Sequence, residues 1–113
     1  MATFNPIFVF KKDTLYMNVI SFKKLRDFYT AHPDSKVYLT SWFKTVRKAD
    51  WKDFNDVKHD FRSVDLVADN RLIFNIKGNH YRLIARISFE HKRIMIKWIG
   101  THADYDKINA VRI

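Results

Sequence analysis

Gly100-Thr101-His102-Ala103-Asp104-Tyr105 places an imidazole and a phenol three residues apart, and Arg82 and Arg86 lie four apart on an alternating run just upstream. Cations beside a titratable imidazole suit cleavage of a phosphodiester. RNA is the natural substrate for such a set, because its own 2′-hydroxyl is the nucleophile and the protein supplies a base, an acid and positive charge. Side chains four apart on a strand share a face and stand about 13–14 Å apart at the backbone. Arg82 and Arg86 are thus expected to spread charge along a groove, with Lys97 of a neighbouring strand as a third cation. Taken singly, each of these is an ordinary solvent-facing sheet residue; their convergence is what argues for a site.

Thr101 and Asp104 have the spacing of a helix start, with Thr101 as N-cap and Asp104 as the partner of a capping box. Capping accounts for those two residues and leaves His102 and Tyr105, one turn apart and so on one side, without a structural purpose. A helix N-terminus also draws anions. No metal is expected: His80, His91 and His102 show no HxxxH pairing, and the chain contains no cysteine. No Gly-rich phosphate loop, GxSxG elbow or pair of glutamates is present, Glu90 being the only glutamate, so no cofactor is expected either.

The elements that must position these residues follow from periodicity. Asn18-Val19-Ile20 reads as a short strand, and Ser21 as the cap of a helix with Phe22, Leu25, Phe28 and Tyr29 in one stripe. His32-Pro33 ends it. Asp34 or Ser35 opens a second helix with Leu39, Trp42, Phe43 and Val46 on one side, so the two form an antiparallel hairpin. Phe54, Val57 and Phe61 are spaced as a short third helix or turn. From Ser63 the period becomes two. Ser63–Val67, Arg71–Ile76, Tyr81–Phe89 and Ile94–Ile99 read as strands joined at Asp69-Asn70, Lys77-Gly78-Asn79 and Glu90-His91-Lys92, with most strand aromatics facing the core. The class is α+β, a helix hairpin packed on one face of a small antiparallel sheet.

With 113 residues, 47% of them hydrophobic, the chain holds one domain and one modest core. Lys and Arg number 21 against 12 Asp and Glu, a net +9. Such a surplus serves solubility in many proteins, and here basic residues recurring beside aromatics favour a nucleic-acid footprint. Charge alone does not separate RNA from DNA or from an acidic protein. The run Ile7-Phe8-Val9-Phe10 is too short for a signal peptide and nothing approaches a membrane span, so a cytoplasmic location without membrane association is expected.

The chain resembles the HigB branch of the RelE-like toxins, the toxic half of type II toxin–antitoxin pairs. The resemblance runs from about Met17 to Asn109. It is carried by Met17-Asn18-Val19-Ile20-Ser21 with Leu25-Arg26-Asp27, by the Phe74-Asn75-Ile76-Lys77-Gly78-Asn79 turn leading to Arg82, and by Thr101-His102-Ala103-Asp104-Tyr105-Asp106. It implies a RelE-like fold over residues 17–113, with residues 1–16 as an N-terminal extension. It also implies an mRNA interferase acting on the translating ribosome. The implied partner is a HigA-type helix-turn-helix antitoxin, through which alone operator DNA would be met. Arg82, Lys97, His102 and Tyr105 match the family's pattern, whereas Arg86 rests on strand geometry only. On that basis His102 is the expected base or acid, Arg82 stabilises charge on the phosphorus, and Tyr105 stacks or donates a proton. Lys77, Arg86 and Lys97 hold the backbone. The alternatives are a non-catalytic RNA-binding module, with the sheet as a stacking platform, and a domain whose basic face meets an acidic protein.

Overall fold

A computed structural model describes residues 15–113, so the Ile7–Phe10 run and nearly all of the expected N-terminal extension lie outside it. Strand β1 (Asn18–Ile20) leads into helix α1 (Phe22–Ala31), and Ser21 holds the N-cap position with an extended backbone but without a side-chain bond. Leu25 is fully buried, and Phe22, Phe28 and Tyr29 pack beside it, as the stripe predicts. Pro33 stops α1 and starts a single 3₁₀ turn (Pro33–Ser35), and α2 (Lys36–Lys48) then buries Leu39, Trp42 and Val46. The ambiguous segment is a helix, α3 (Phe54–Asp60), because the Asp53 carboxylate accepts the Asp56 amide and caps it.

Strands β2 (Asp65–Val67), β3 (Arg71–Ile76), β4 (Tyr81–Ser88) and β5 (Arg93–Thr101) form the expected antiparallel meander. The fifth strand departs from it: β1 lies at the edge beside β5 and runs parallel, with Asn18 opposite Arg93, so the sheet is mixed. Asp69 and Asn70, and then Lys77 and Gly78, adopt successive left-handed conformations (φ 63, 58, 52 and 62°). Such pairs match the twist of the strands they join. Helix α4 (His102–Tyr105) closes the chain's last strand.

Alternation sorts the strands onto two faces. Leu72, Phe74, Ile76, Leu83, Ala85, Ile87, Ile94 and Ile96 join the core formed with α1–α3, where the Phe74 ring meets Trp42 at 5.4 Å and Phe61 at 5.0 Å. Each Leu, Ile or Phe among them contributes about 1.5–3 kcal/mol when fully buried. The outer face carries Arg71, Ile73 and Asn75 of β3, and Arg82, Ile84 and Arg86 of β4. One irregularity decides what joins them. Ile84 pairs with Trp98 and Ala85 with Ile96, so Lys97 is an extra, bulged residue on β5. Beyond it the alternation of β5 is inverted. Ile99 packs on the core, and Trp98, which strict alternation would send inward with Ile94 and Ile96, turns to the outer face. The expectation of core-facing strand aromatics fails at Trp98 for this reason.

Candidate functional site

Arg82 and Arg86 share the outer face, and Ile84 between them is fully buried, so the floor between the two guanidiniums is apolar. The Arg82 guanidinium lies 5.6 Å from the centre of the Tyr105 ring, and Tyr105 in turn lies 6.2 Å from Trp98, ring to ring. Its remaining contact, Nη1 to the Asn79 side-chain oxygen at 3.5 Å, is long for a hydrogen bond and leaves the group free to turn to a ligand. Gly100 stands opposite Arg82, and a Cβ there would fall 2.3 Å from the Trp98 indole. Only glycine lets the indole lie down across the strand. Three elements, β4, β5 and α4, thereby bring one cation and two π-faces together. Arg82 and Tyr105 are legible in the sequence; Trp98 is not, because its turn to the outer face follows from the bulge at Lys97, which leaves no sequence signal.

The tight turn into α4 follows from Thr101, whose hydroxyl accepts the Asp104 amide at 3.1 Å. Only half of the expected capping box forms: Asp104 contributes its amide, and no bond returns to its carboxylate among the described residues. The His102 amide donates to the His80 carbonyl at 3.1 Å, tying the turn to the β3–β4 hairpin that carries Arg82. With four residues, α4 is too short to supply a helix dipole. What it supplies is placement of His102 and Tyr105 on one side of a single turn. The His102 side chain is 48% exposed, and its Nε2 lies 3.8 Å from the Asp106 carboxylate, four residues on. It is in solvent rather than in the core, with an acid at hand to orient it.

The three remaining candidates part company. Lys77 is not brought to the arginines: its ammonium donates to Asp34 at 2.9 Å, and the Tyr81 hydroxyl donates to the same carboxylate at 2.8 Å, on the helix side of the sheet. The Lys77 hydrogen bond, reinforced by that of Tyr81, holds the Asp34 carboxyl below the usual range. The same contacts push Lys77 and Tyr81 upward. Arg86 remains on the outer face but donates to Asp69 at 2.9 Å, a carboxylate that also accepts from Arg71 at 2.8 Å. The Arg71 hydrogen bond, with the Arg86 charge behind it, lowers the Asp69 carboxyl. Lys97, the bulged residue, sets its ammonium 3.7 Å from the Met95 sulfur, level with Arg86, which pairs with Met95. Neither Asp34 nor Asp69 carries a functional signal in the sequence, since the first reads as a helix start and the second as a turn residue. Among the described residues no three His, Asp or Glu side chains gather as a metal site.

The model of a family described as HigB_toxin, the RelE-like toxic component of a toxin–antitoxin system, matches residues 35–108. The chain belongs to the HigB toxin family. It is 32% identical over 97 residues to the mRNA interferase toxin HigB of Escherichia coli (strain K12), covering 84% of this chain and 93% of that protein. The mRNA interferase HigB of Shigella flexneri matches to the same extent. That of Escherichia coli O6:H1 is 27% identical over 94 residues, 81% of this chain and 91% of the relative. The family match spans α2 through α4 and so contains every candidate residue from Lys77 to Tyr105. As a HigB toxin the chain has an antitoxin counterpart, and its α+β architecture is that of a RelE-like toxin.

Proposed function

We propose that this chain is an endoribonuclease that cuts mRNA without a metal ion, using the outer face of the sheet as its groove. The observation that carries this is the meeting of Arg82, Tyr105 and Trp98 beside the turn that presents His102. The two rings offer a base a surface to stack on, and base–aromatic stacking contributes about 1–3 kcal/mol per base. A base held there leaves its phosphate to Arg82, which neutralises charge as the 2′-oxygen attacks. His102, half exposed and flanked by Asp106, takes or returns the proton. Arg86 and Lys97 extend positive charge along the groove, and Lys77 serves the groove indirectly by fixing the β3–β4 turn to Asp34. Support from outside the site comes from relatives named as mRNA interferases.

The finer reading places cleavage on the translating ribosome, in the cytoplasm, with residues 17–113 as the toxin domain. A HigA-type helix-turn-helix antitoxin masks it and supplies the only link to operator DNA. Among the described residues no helix is long and apolar enough to cross a membrane, which accords with this. The Trp98–Tyr105 pair also suits a module that binds RNA without cutting it, and mapping reporter mRNA ends with and without translating ribosomes separates the two. A cut seen only with ribosomes supports the finer reading, and stable binding with no cut supports the module. His102→Ala and Arg82→Ala are each expected to lower cleavage by ~10²–10⁴-fold and to abolish growth arrest while leaving the fold intact. A folded double variant that still arrests growth would overturn the assignment.

A further inference from the structure

At the other end of the outer face Arg71 of β3 and Arg86 of β4 stand directly opposite each other, a register in which like charges repel. One acid bridges them rather than two: Asp69 accepts Arg71 Nη1 at 2.8 Å and Arg86 Nη2 at 2.9 Å. The trio therefore keeps one net positive charge. Arg71 is the fixed member, its side chain 9% exposed and its buried Nε without a hydrogen-bond partner. Arg86 is the available one, 49% exposed, held in place through Asp69 and with no protein partner for its other N–H groups among the described residues.

Beside Arg86 opens a cavity of about 610 Å³, lined also by Ser88, His91, Arg93 and Met95. Arg93 faces Ser88 across the β4–β5 ladder on the same side of the sheet as Arg86. The one acid on the rim, Glu90, is 87% exposed and lies 3.9 Å from His91. Restraint of Arg71 and Arg86 by Asp69 explains a stable turn; it does not explain an open, doubly basic cavity beside it. We propose that this cavity is a second phosphate subsite, in which Arg86 and Arg93 grip the backbone of the RNA strand away from the cut. It rests on the ribonuclease reading. Guanidinium forks match phosphate oxygens two at a time, and Ser88 adds a neutral donor. Arg82 and Arg86 are about 13–14 Å apart along β4, so a strand lying on the apolar floor between them meets cations at both ends.

Binding of a fully 2′-O-methylated RNA oligonucleotide, long enough to span the face and unable to be cut, tests this at several salt concentrations. Arg93→Gln changes an exposed residue, and its thermal midpoint is expected to match the wild type. Its affinity is expected to fall roughly tenfold, and the slope of log K against log salt by roughly 0.7, the loss of one single-strand phosphate contact. Arg82→Gln is expected to cause a separate loss that adds to it, since the two positions are well apart. If Arg82→Gln weakens binding while Arg93→Gln changes neither affinity nor slope, the subsite is absent and the ribonuclease reading stands. Failure of the wild-type chain to bind RNA at low salt would overturn the subsite, while the cut mapped with translating ribosomes remains the separate test of the ribonuclease reading. Poly-glutamate bound as tightly as the RNA, and lost with Arg93, would overturn the phosphate assignment in favour of an acidic protein partner.

Discussion

Replacing Gly100 with alanine puts a methyl group where the Trp98 indole lies. The new Cβ would stand 2.3 Å from Cζ2 and 2.4 Å from Cη2 of that ring. Carbon atoms settle at about 3.5–4.0 Å, so the indole must retreat by roughly 1 Å or more, away from the strand. If it stays in place under strain, overpacking costs about 1–3 kcal/mol. If it swings into solvent, the platform it forms with Tyr105 is lost. Both outcomes are measurable, because Trp42 and Trp51 are each only 2% exposed and acrylamide quenching therefore reports mainly on Trp98. Gly100→Ala is expected to lower the urea midpoint, raise quenching and reduce growth arrest. In a Trp98→Ala background the same change should cost under about 0.5 kcal/mol, since the clash has gone. An equal loss of stability in both backgrounds would show that Gly100 is needed for some reason other than the indole, and the account of the site would fail there.

Asp34→Asn removes the negative charge, and one of the two acceptor oxygens, that Lys77 and Tyr81 share. The Asp34 carboxyl is lowered, so its contribution is present above the ordinary value of 3.8 and fades as pH falls through the folded-state value. Lys77 and Tyr81 are raised, so theirs are present below 10.5 and 10.0 and fade as pH rises through the folded-state values. The stability gap between wild type and variant should be flat near neutrality and narrow at both extremes; a gap unchanged down to strong acid would contradict it. Ile84→Ala, beneath the two arginines, should destabilise by about 2–5 kcal/mol in chemical denaturation, against less than about 0.5 for the half-exposed Leu66→Ala. Tyr105→Phe should keep growth arrest and Tyr105→Ala lose it, because the ring face is what Arg82 and Trp98 meet; Phe behaving like Ala would assign the hydroxyl instead.

Features set by local chemistry were legible in the residues. Pro33 ends α1, Asp69-Asn70 and Lys77-Gly78 make left-handed turns, and the apolar stripes of α1 and α2 predict their buried sides. Features set by distant partners were not. Nothing near Asn18 announces that its strand will run parallel to β5, because the information lies in Arg93–Met95. The bulge at Lys97 was hidden too, since the residues on either side of it from Ile94 to Ile99 are apolar on both parities and alternation cannot register an inserted residue. The electrostatic partners were the least visible. Lys77 and Arg86 are expected from the sequence to hold a phosphate backbone, and each has an aspartate partner far along the chain, Asp34 across 43 residues and Asp69 across 17.

The parallel edge has a consequence for when a toxin becomes harmful. Asn18 and Arg93 are 75 positions apart, so this pairing waits until β5 has been made and carries the closure entropy of the intervening chain. His102 and Tyr105 follow β5 directly, so the strand that completes the sheet is also the one that delivers the reactive turn. A nascent polypeptide emerging from its own ribosome thus carries no assembled groove until β5 and α4 have been made. A partner present at the moment of release could meet it before it has attacked a single message.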